Sequence, residues 1–461
     1  MAITRRQFVT RLGALAAAAG FSQSQASQIM DALAYTTGAP YQGTFGKPRV
    51  VWLHGAECTG CSTSLLGIFE NQTGEAIPGT GITTAAALGL AGTLPTDGEI
   101  PFGNNSGGLL LPALGLSPDP AGSIDIADVV IDVVDLIYHE TVMGMGGDLA
   151  YKWLNDFAAA NTDPFVLVVE GALQDKAGGG AWNDSAAGSV AVPWCSIGMD
   201  GTTNSTGAVG EIDMPEMVVT LASKPSCAAV VAIGQCATYG GYPGAKPPIT
   251  SAVAHFDTGM SQTGAKGAYD YLLAHSNANV AGKVVNVPGC PTNPWWFVLS
   301  VVCLLVDIPS ILGKADGTVG TLGVLVKVPT NANNGLGIGV NAGGVDSTRR
   351  IKAVYGTPIH GPYCPRYRNY VKGVYASQPG DPGCLQKIGC KGPAAKSLCG
   401  IHGWNNQQPQ NPAAWDFGVS QANPAPNGTT MTGGHCTRAG HPCMACTEKG
   451  YPDAFVPFIK R

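Results

Sequence analysis

Charge is scarce in this chain. Asp, Glu, Lys and Arg make up 12% of 461 residues, and 26 Lys and Arg stand against 31 Asp and Glu. A net charge of −5 argues against a nucleic-acid partner, which would need a basic face. Long apolar runs are also missing. The stretch from Trp295 to Val306 is apolar, but it stops at Asp307 after about twelve residues, too short to span a bilayer and better read as a core helix. The last residues, Phe458-Ile459-Lys460-Arg461, form no hydrophobic tail. No membrane span of its own is expected, so membrane attachment would have to come through a partner. What is abundant is glycine, 64 residues, with 33 prolines. That share predicts long loops but stays below the range that signals disorder. The length suits two or three domains with a sizeable core.

Fourteen cysteines are present. Residues 1–30 read as a targeting segment: Thr4-Arg5-Arg6-Gln7-Phe8-Val9 has twin-arginine character and a weakly apolar stretch follows, Leu12 to Phe21. Ser24-Gln25-Ala26 is a candidate cleavage site. In an exported protein so many cysteines would ordinarily suggest disulfides. Twin-arginine export carries folded protein, so metal centres can be built on reduced thiols before the chain meets an oxidising compartment. The expected location is periplasmic.

Four apolar runs end in glycine- or cysteine-bearing turns. Val50-Val51-Trp52-Leu53 leads to His54-Gly55-Ala56-Glu57-Cys58-Thr59-Gly60-Cys61, and Phe165-Val166-Leu167-Val168-Val169 leads to Glu170-Gly171. Ala228 to Ile233 leads to Gly234-Gln235-Cys236, and Val284-Val285-Asn286-Val287 leads to Pro288-Gly289-Cys290-Pro291. Short β-branched runs of this kind fit strands of a parallel sheet buried on both faces. Ligands of such a sheet sit beyond the carboxyl ends of its strands. Cys58, Cys61, Cys236 and Cys290 therefore gather on one rim. Four thiolates suit either a 4Fe–4S cluster or a structural zinc ion. One close pair plus two distant singles favours the cluster, since zinc folds prefer two close pairs.

Glu57-Cys58-Thr59-Gly60-Cys61, Gly234 to Gly241 and Pro288-Gly289-Cys290-Pro291-Thr292-Asn293-Pro294 resemble, in family order, the proximal-cluster motifs of nickel–iron hydrogenase small subunits. Asp135-Leu136-Ile137-Tyr138-His139-Glu140-Thr141, Val169-Glu170-Gly171 and most of the last hundred residues add to the resemblance. It implies a flavodoxin-like α/β parallel-sheet domain, residues 48–305, then an irregular iron–sulfur cluster-binding domain, residues 306–461. It also implies an electron-transfer role in H2 oxidation, a separate large subunit holding the nickel–iron site, and a cytochrome or other redox acceptor. Oxygen-tolerant members carry two extra cysteines beside the proximal cluster. Gly60 and Gly241 occupy those positions here.

The C-terminal part holds Cys364, Cys384, Cys390, Cys399, Cys436, Cys443 and Cys446. It is rich in Gly, Pro and polar residues and short of apolar ones, as in a segment folded around cofactors. By resemblance, His360, Cys364, Cys384 and Cys390 form the distal set, and Cys399, Cys443 and Cys446 belong to the medial set. Three residues separate His360 from Cys364 where the family usually has two, so a surface histidine stays open as the other reading. Seven residues before Cys443 many members carry a proline facing the empty corner of a 3Fe–4S cluster. Cys436 stands there in this chain. A fourth thiolate implies a medial 4Fe–4S cluster, and all three clusters are then 4Fe–4S. The alternative is a free thiol in an inserted loop. Cys195, Cys227 and Cys303 remain as free thiols.

Residues 71–125 and 313–348 read as insertions without assignable chemistry. Asp128, Asp132 and Asp135 are spaced as a metal face would be, but better fit a strand or helix flank. Glu170 reads as a satisfied structural carboxylate or a partner contact. Glu57, beside Cys58, has two readings, a proton-carrying carboxylate or a helix cap. Two other functions fit parts of the pattern. One is a secreted zinc- or disulfide-stapled binding protein. The other is a quinone-reductase-type iron–sulfur subunit, against which the eight C-terminal ligands and the export signal speak.

Overall fold

The computed structural model describes residues 49–66, 135–174, 194–203, 209–245, most of 265–300, most of 345–399, residue 404 and 436–460. The targeting segment, the insertion at 71–125, nearly all of the one at 313–348, Asp128, Asp132 and Cys303 lie outside the described residues.

The four apolar runs become strands β1 (Arg49–His54), β3 (Phe165–Glu170), β6 (Cys227–Ile233) and β7 (Val284–Val287). They share a five-stranded sheet with β2 (Asp135–His139), in the order β2-β1-β3-β6-β7, and every pairing is parallel. That order is the flavodoxin-like one. Asp135 opens β2 and faces Arg49 at 3.8 Å, so it serves an ion pair across the sheet edge. β4 (Ser196–Thr203) and β5 (Val209–Asp213) form a separate antiparallel hairpin, a feature without a clear sequence signal.

Each strand sends alternate residues to opposite faces, and the two faces are covered differently. Val51, Leu53, Leu167, Val169, Val230 and Ala232 pack with Leu154 of helix α2 (Gly147–Ala160), Val218 and Leu221 of α3 (Met214–Ser223), and Leu272 of α5 (Ala268–His275). On the other face Val50, Trp52, Val166, Val168, Val231, Val285 and Val287 pack with Trp296, Ile351, Val354, Tyr355, Ile359, Cys399, Cys443 and Ala445. The C-terminal segment thus completes a core that the sheet begins. Its own apolar cluster is small, Ala376, Leu385 and Ile388. Among the described residues no helix is long and apolar enough to cross a membrane.

Candidate metal centres

Helix α1 (Gly60–Leu66) starts directly beyond β1 and carries Cys61 in its first turn. Glu170, the last residue of β3, holds that turn. Its Oε1 accepts from the backbone N–H groups of Cys61 at 3.0 Å and Ser62 at 3.1 Å. Its Oε2 accepts from Trp52 Nε1 at 3.1 Å and Ser62 Oγ at 2.5 Å. A carboxylate at a helix start satisfies orphan donors and faces the positive end of the helix. Of the two sequence readings of Glu170, the structural one has its geometry here.

Cys236 lies in α4 (Gly234–Tyr239), just beyond β6, and Cys290 just beyond β7. With Cys58 and Cys61 they converge. Burial pushes the Cys236 thiol up to about 12, with Cys290 and Cys58 adding to it. Burial likewise pushes Cys290 up to about 12, reinforced by Cys446 and Cys58. Buried Cys61 is raised well above the ordinary thiol range, by burial first and then by Glu170 and other neighbours that include Cys236. Backbone geometry keeps the sulfurs crowded: a Cβ on Gly234 would come within 2.5 Å of Cys61 Sγ, one on Gly60 within 2.9 Å of Cys58 Sγ, and one on Gly241 within 2.8 Å of Cys236 Sγ.

The thiols expected at the distal and medial sites crowd together, with Cys390 acting on thiols of both sets. Burial raises Cys364 to about 11, helped by Cys390 and Cys384. Burial raises Cys399 strongly, with Cys446 and Cys436 adding to it. Burial also raises Cys443, with Cys390, Cys436 and Cys446 nearby, and takes Cys446 to about 12 beside Cys436. Cys436 itself is pushed up to about 11 by burial and then by Cys390. The groups meet where Cys443 N–H donates to Cys390 Sγ at 3.3 Å. At the other end Cys446 neighbours Cys290 of the sheet rim.

His360 sits edge-on to Tyr370 at 4.4 Å and Tyr367 at 5.3 Å between ring centroids. Its Nε2 is buried without a hydrogen-bond partner. Burial lowers its pKa, which favours the neutral, ligating imidazole. Arg366 is fully buried in the same group, with Nε on Thr437 O and Nη1 on the Asp381 and Gly383 carbonyls.

All thirteen described cysteines are free thiols. Buried thiols with raised pKa values and no bridging partner form a donor set that suits iron, whose charge would offset several thiolates. Among the described residues one trio of His and Glu donor atoms lies within 4.8 Å of one another, His54, Glu57 and Glu170.

The His54 trio is a polar network. His54 Nδ1 meets Glu57 Oε1 at 3.1 Å, Thr59 Oγ1 donates to the same oxygen at 3.1 Å, and both oxygens of Glu170 are already engaged. Glu57 Oε2 is buried without a partner. Burial pulls the His54 pKa down, but Glu57, Glu170 and Glu140 outweigh it and leave it raised. His54 was not singled out from the sequence. The signal was there, a histidine three residues before Glu57 at a strand end. Its neighbour His139, with Nε2 3.3 Å from Ser62 Oγ, goes the other way: burial and then His54 lower it to about 3.

These two histidines set one pH dependence. A lowered folded pKa means that His139 stays neutral in the fold while the unfolded chain takes up a proton. Its contribution is complete above about pH 6.5 and is lost as pH falls toward 3, with a limiting slope of about 1.4 kcal/mol per pH unit. Near pH 6.5 the raised His54 works in the opposite direction, and well below that pH it is protonated in both states and adds no slope. His139→Gln should therefore flatten the acid limb of the melting temperature against pH. Parallel acid limbs for wild type and variant would contradict this.

Cys195 is half-buried, its thiol 3.5 Å from the His54 carbonyl, and Cys227 is buried in β6. Neither joins a cysteine group.

The chain is similar to known proteins along most of its length. A family model described as NADH ubiquinone oxidoreductase, 20 Kd subunit, matches residues 120–304, and the model of the C-terminal part of the NiFe/NiFeSe hydrogenase small subunit matches residues 355–414. The chain is 24% identical to the periplasmic [NiFeSe] hydrogenase small subunit of Desulfomicrobium baculatum over 99% of both chains. It is 26% identical to the periplasmic [NiFe] hydrogenase small subunit 1 of Nitratidesulfovibrio vulgaris, covering 99% of this chain and 93% of that one. It is 27% identical to the F420 non-reducing hydrogenase II small subunit of Methanosarcina mazei, covering 98% and 83%. In fold it is similar to the solved Desulfomicrobium baculatum [NiFeSe]-hydrogenase, with a TM-score of 0.51 over 90% of this chain and 99% of that one, at 24% identity. With the two models in chain order and whole-length relatives of one kind, the chain is similar along nearly its whole length to the small subunits of nickel–iron hydrogenases.

Proposed function

We propose that this chain carries electrons released from H2 through three iron–sulfur clusters, from a large hydrogenase subunit to an external acceptor. The observation that carries the reading is the continuity of the thiol groups, Cys290 beside Cys446 and Cys443 hydrogen-bonded to Cys390. Cys58, Cys61, Cys236 and Cys290 would hold the proximal cluster. Cys399, Cys436, Cys443 and Cys446 would hold the medial one, and His360, Cys364, Cys384 and Cys390 the distal one. Bound iron–sulfur clusters supply one-electron transfer. The chain's residues fix the ligands, exclude water and set the surrounding charge.

Glu57, with Oε2 buried and open beside the Cys58 loop, is the candidate proton carrier at the proximal end. The relatives named periplasmic and the twin-arginine segment support a periplasmic location. The domain division at 48–305 and 306–461 belongs to the same reading. The shared core makes the second part depend on the first.

The test is purification with the partner subunit under anaerobic conditions. The complex should be brown, oxidise H2 and hold about twelve irons in this chain, the content of three 4Fe–4S clusters. The chain alone should not oxidise H2. A colourless, zinc-bearing protein would defeat the reading, as would H2 consumption by the isolated chain.

A second outcome concerns air. Gly60 and Gly241 supply no thiolate, and a Cβ at either would fall within 3 Å of a cysteine sulfur. The extra-cysteine route to oxygen tolerance is closed to this chain. H2 oxidation by the complex should stop in air and return on anaerobic reduction. Steady turnover in air would contradict the assignment of an ordinary proximal cluster.

A further inference from the structure

The scarcity of charge hides a strong asymmetry along the chain. Residues 352–461 hold eleven Lys and Arg against four Asp and Glu, while residues 1–351 hold fifteen against twenty-seven. The basic part is the part that carries the distal group.

Several of its cations lie on the surface over that group. Lys387 sits between Cys384 and Cys390, exposed, with its ammonium 4.4 Å from the centre of the Tyr375 ring. Lys460 is exposed and docks against the same turn through its backbone N–H to the Ile388 carbonyl, at 2.8 Å. Lys372 is exposed and follows helix α6 (Tyr367–Val371), whose Tyr367 and Tyr370 flank His360. Beside Lys372 in the chain lie apolar side chains open to solvent: Val371 is 67% exposed and Val374 48%, and the Val374 carbonyl accepts from Cys384 N–H at 2.9 Å. The acid in this stretch, Asp381, is turned to its own loop, bonded to Ser377 and Gln378.

An apolar centre with a rim of one sign is the form of a transient docking site. The rim sign selects the partner by raising the encounter rate with the opposite charge. We propose that the face formed by Val371, Val374, Lys372, Lys387 and Lys460 docks a soluble redox protein with an acidic face, and that electrons leave the chain there. This rests on the electron-exit role proposed above. The oxidant is a one-electron protein acceptor, so two acceptors are reduced for each H2 consumed, while two protons are released at the large subunit.

The test uses the purified complex under H2 and two probes, an acidic 2Fe–2S ferredoxin and a basic single-haem c-type cytochrome. Their reduction rates are followed by stopped flow from 20 to 500 mM salt. Ferredoxin reduction should fall by about tenfold or more across that range as screening sets in, while cytochrome reduction stays level or rises. Lys372→Gln/Lys387→Gln/Lys460→Gln should bring the low-salt ferredoxin rate down toward the high-salt wild-type rate. H2/D2 exchange and the cluster resonance spectra of the variant should match wild type, which shows that it is folded and loaded. A ferredoxin rate indifferent to salt overturns the proposal, as does salt slowing the cytochrome instead. Salt-sensitive flotation with anionic phospholipid vesicles, lost in the triple variant while its ferredoxin rate stays at wild type, assigns the face to a lipid surface and also overturns it. If exchange proceeds but no electron reaches either probe, the exit role itself fails and the docking assignment fails with it.

Discussion

Replacing Glu170 with alanine should cost about 3–5 kcal/mol, because it strands buried donors that have no other acceptor. These are the backbone N–H groups of Cys61 and Ser62 and the indole N–H of Trp52. The lost carboxylate also removes a charge that suits the start of helix α1. The effect should reach the metal centre, since the stranded turn is the one that aims Cys61. Glu170→Ala is expected to purify with a small fraction of the wild-type iron and to melt well below it. Glu170→Gln keeps the volume and one acceptor oxygen but turns an amide donor toward existing donors, so an intermediate loss is expected. An alanine variant with full iron and an unchanged melting temperature would show that the turn is held by something other than Glu170.

The second large effect is expected at Cys436. This thiol is among the charged neighbours that raise Cys399, Cys443 and Cys446, and Cys390 in turn raises Cys436. Oxidised wild-type complex should show no strong 3Fe–4S resonance. Cys436→Pro should produce one, lose about one iron per complex and raise the medial potential, since one thiolate charge is gone. A strong 3Fe–4S signal in intact wild-type protein would refute four-thiol ligation. An unchanged spectrum in the variant would return Cys436 to the status of a free thiol.

How much could be read from the residues varied with physical context. The β1, β3, β6 and β7 runs were legible because a strand buried on both faces must be apolar throughout, and each is bounded by Gly, Pro or Cys. The edge strand β2 was ambiguous because Asp135 carries charge into it, and that charge makes sense only beside Arg49. The β4–β5 hairpin, with its Gly- and Thr-rich strands, has too little alternation to announce itself. The thiol groups were legible as motifs, but their adjacency was not. No spacing rule brings Cys290 to Cys446 or Cys390 to Cys443. Glu170 stood between two readings because a carboxylate at a strand end looks the same whether it meets solvent, a partner or a helix start. The shortage of apolar residues after residue 355 was visible. That the few present complete the sheet's second face required the fold.

That shared core constrains how the molecule is made. Val50 and Trp52 of the first strand pack in the same cluster as Cys443 and Ala445, so the cover on one face of the sheet is not complete until residue 445 has been made. Contacts this distant in sequence close slowly and leave apolar surface open meanwhile.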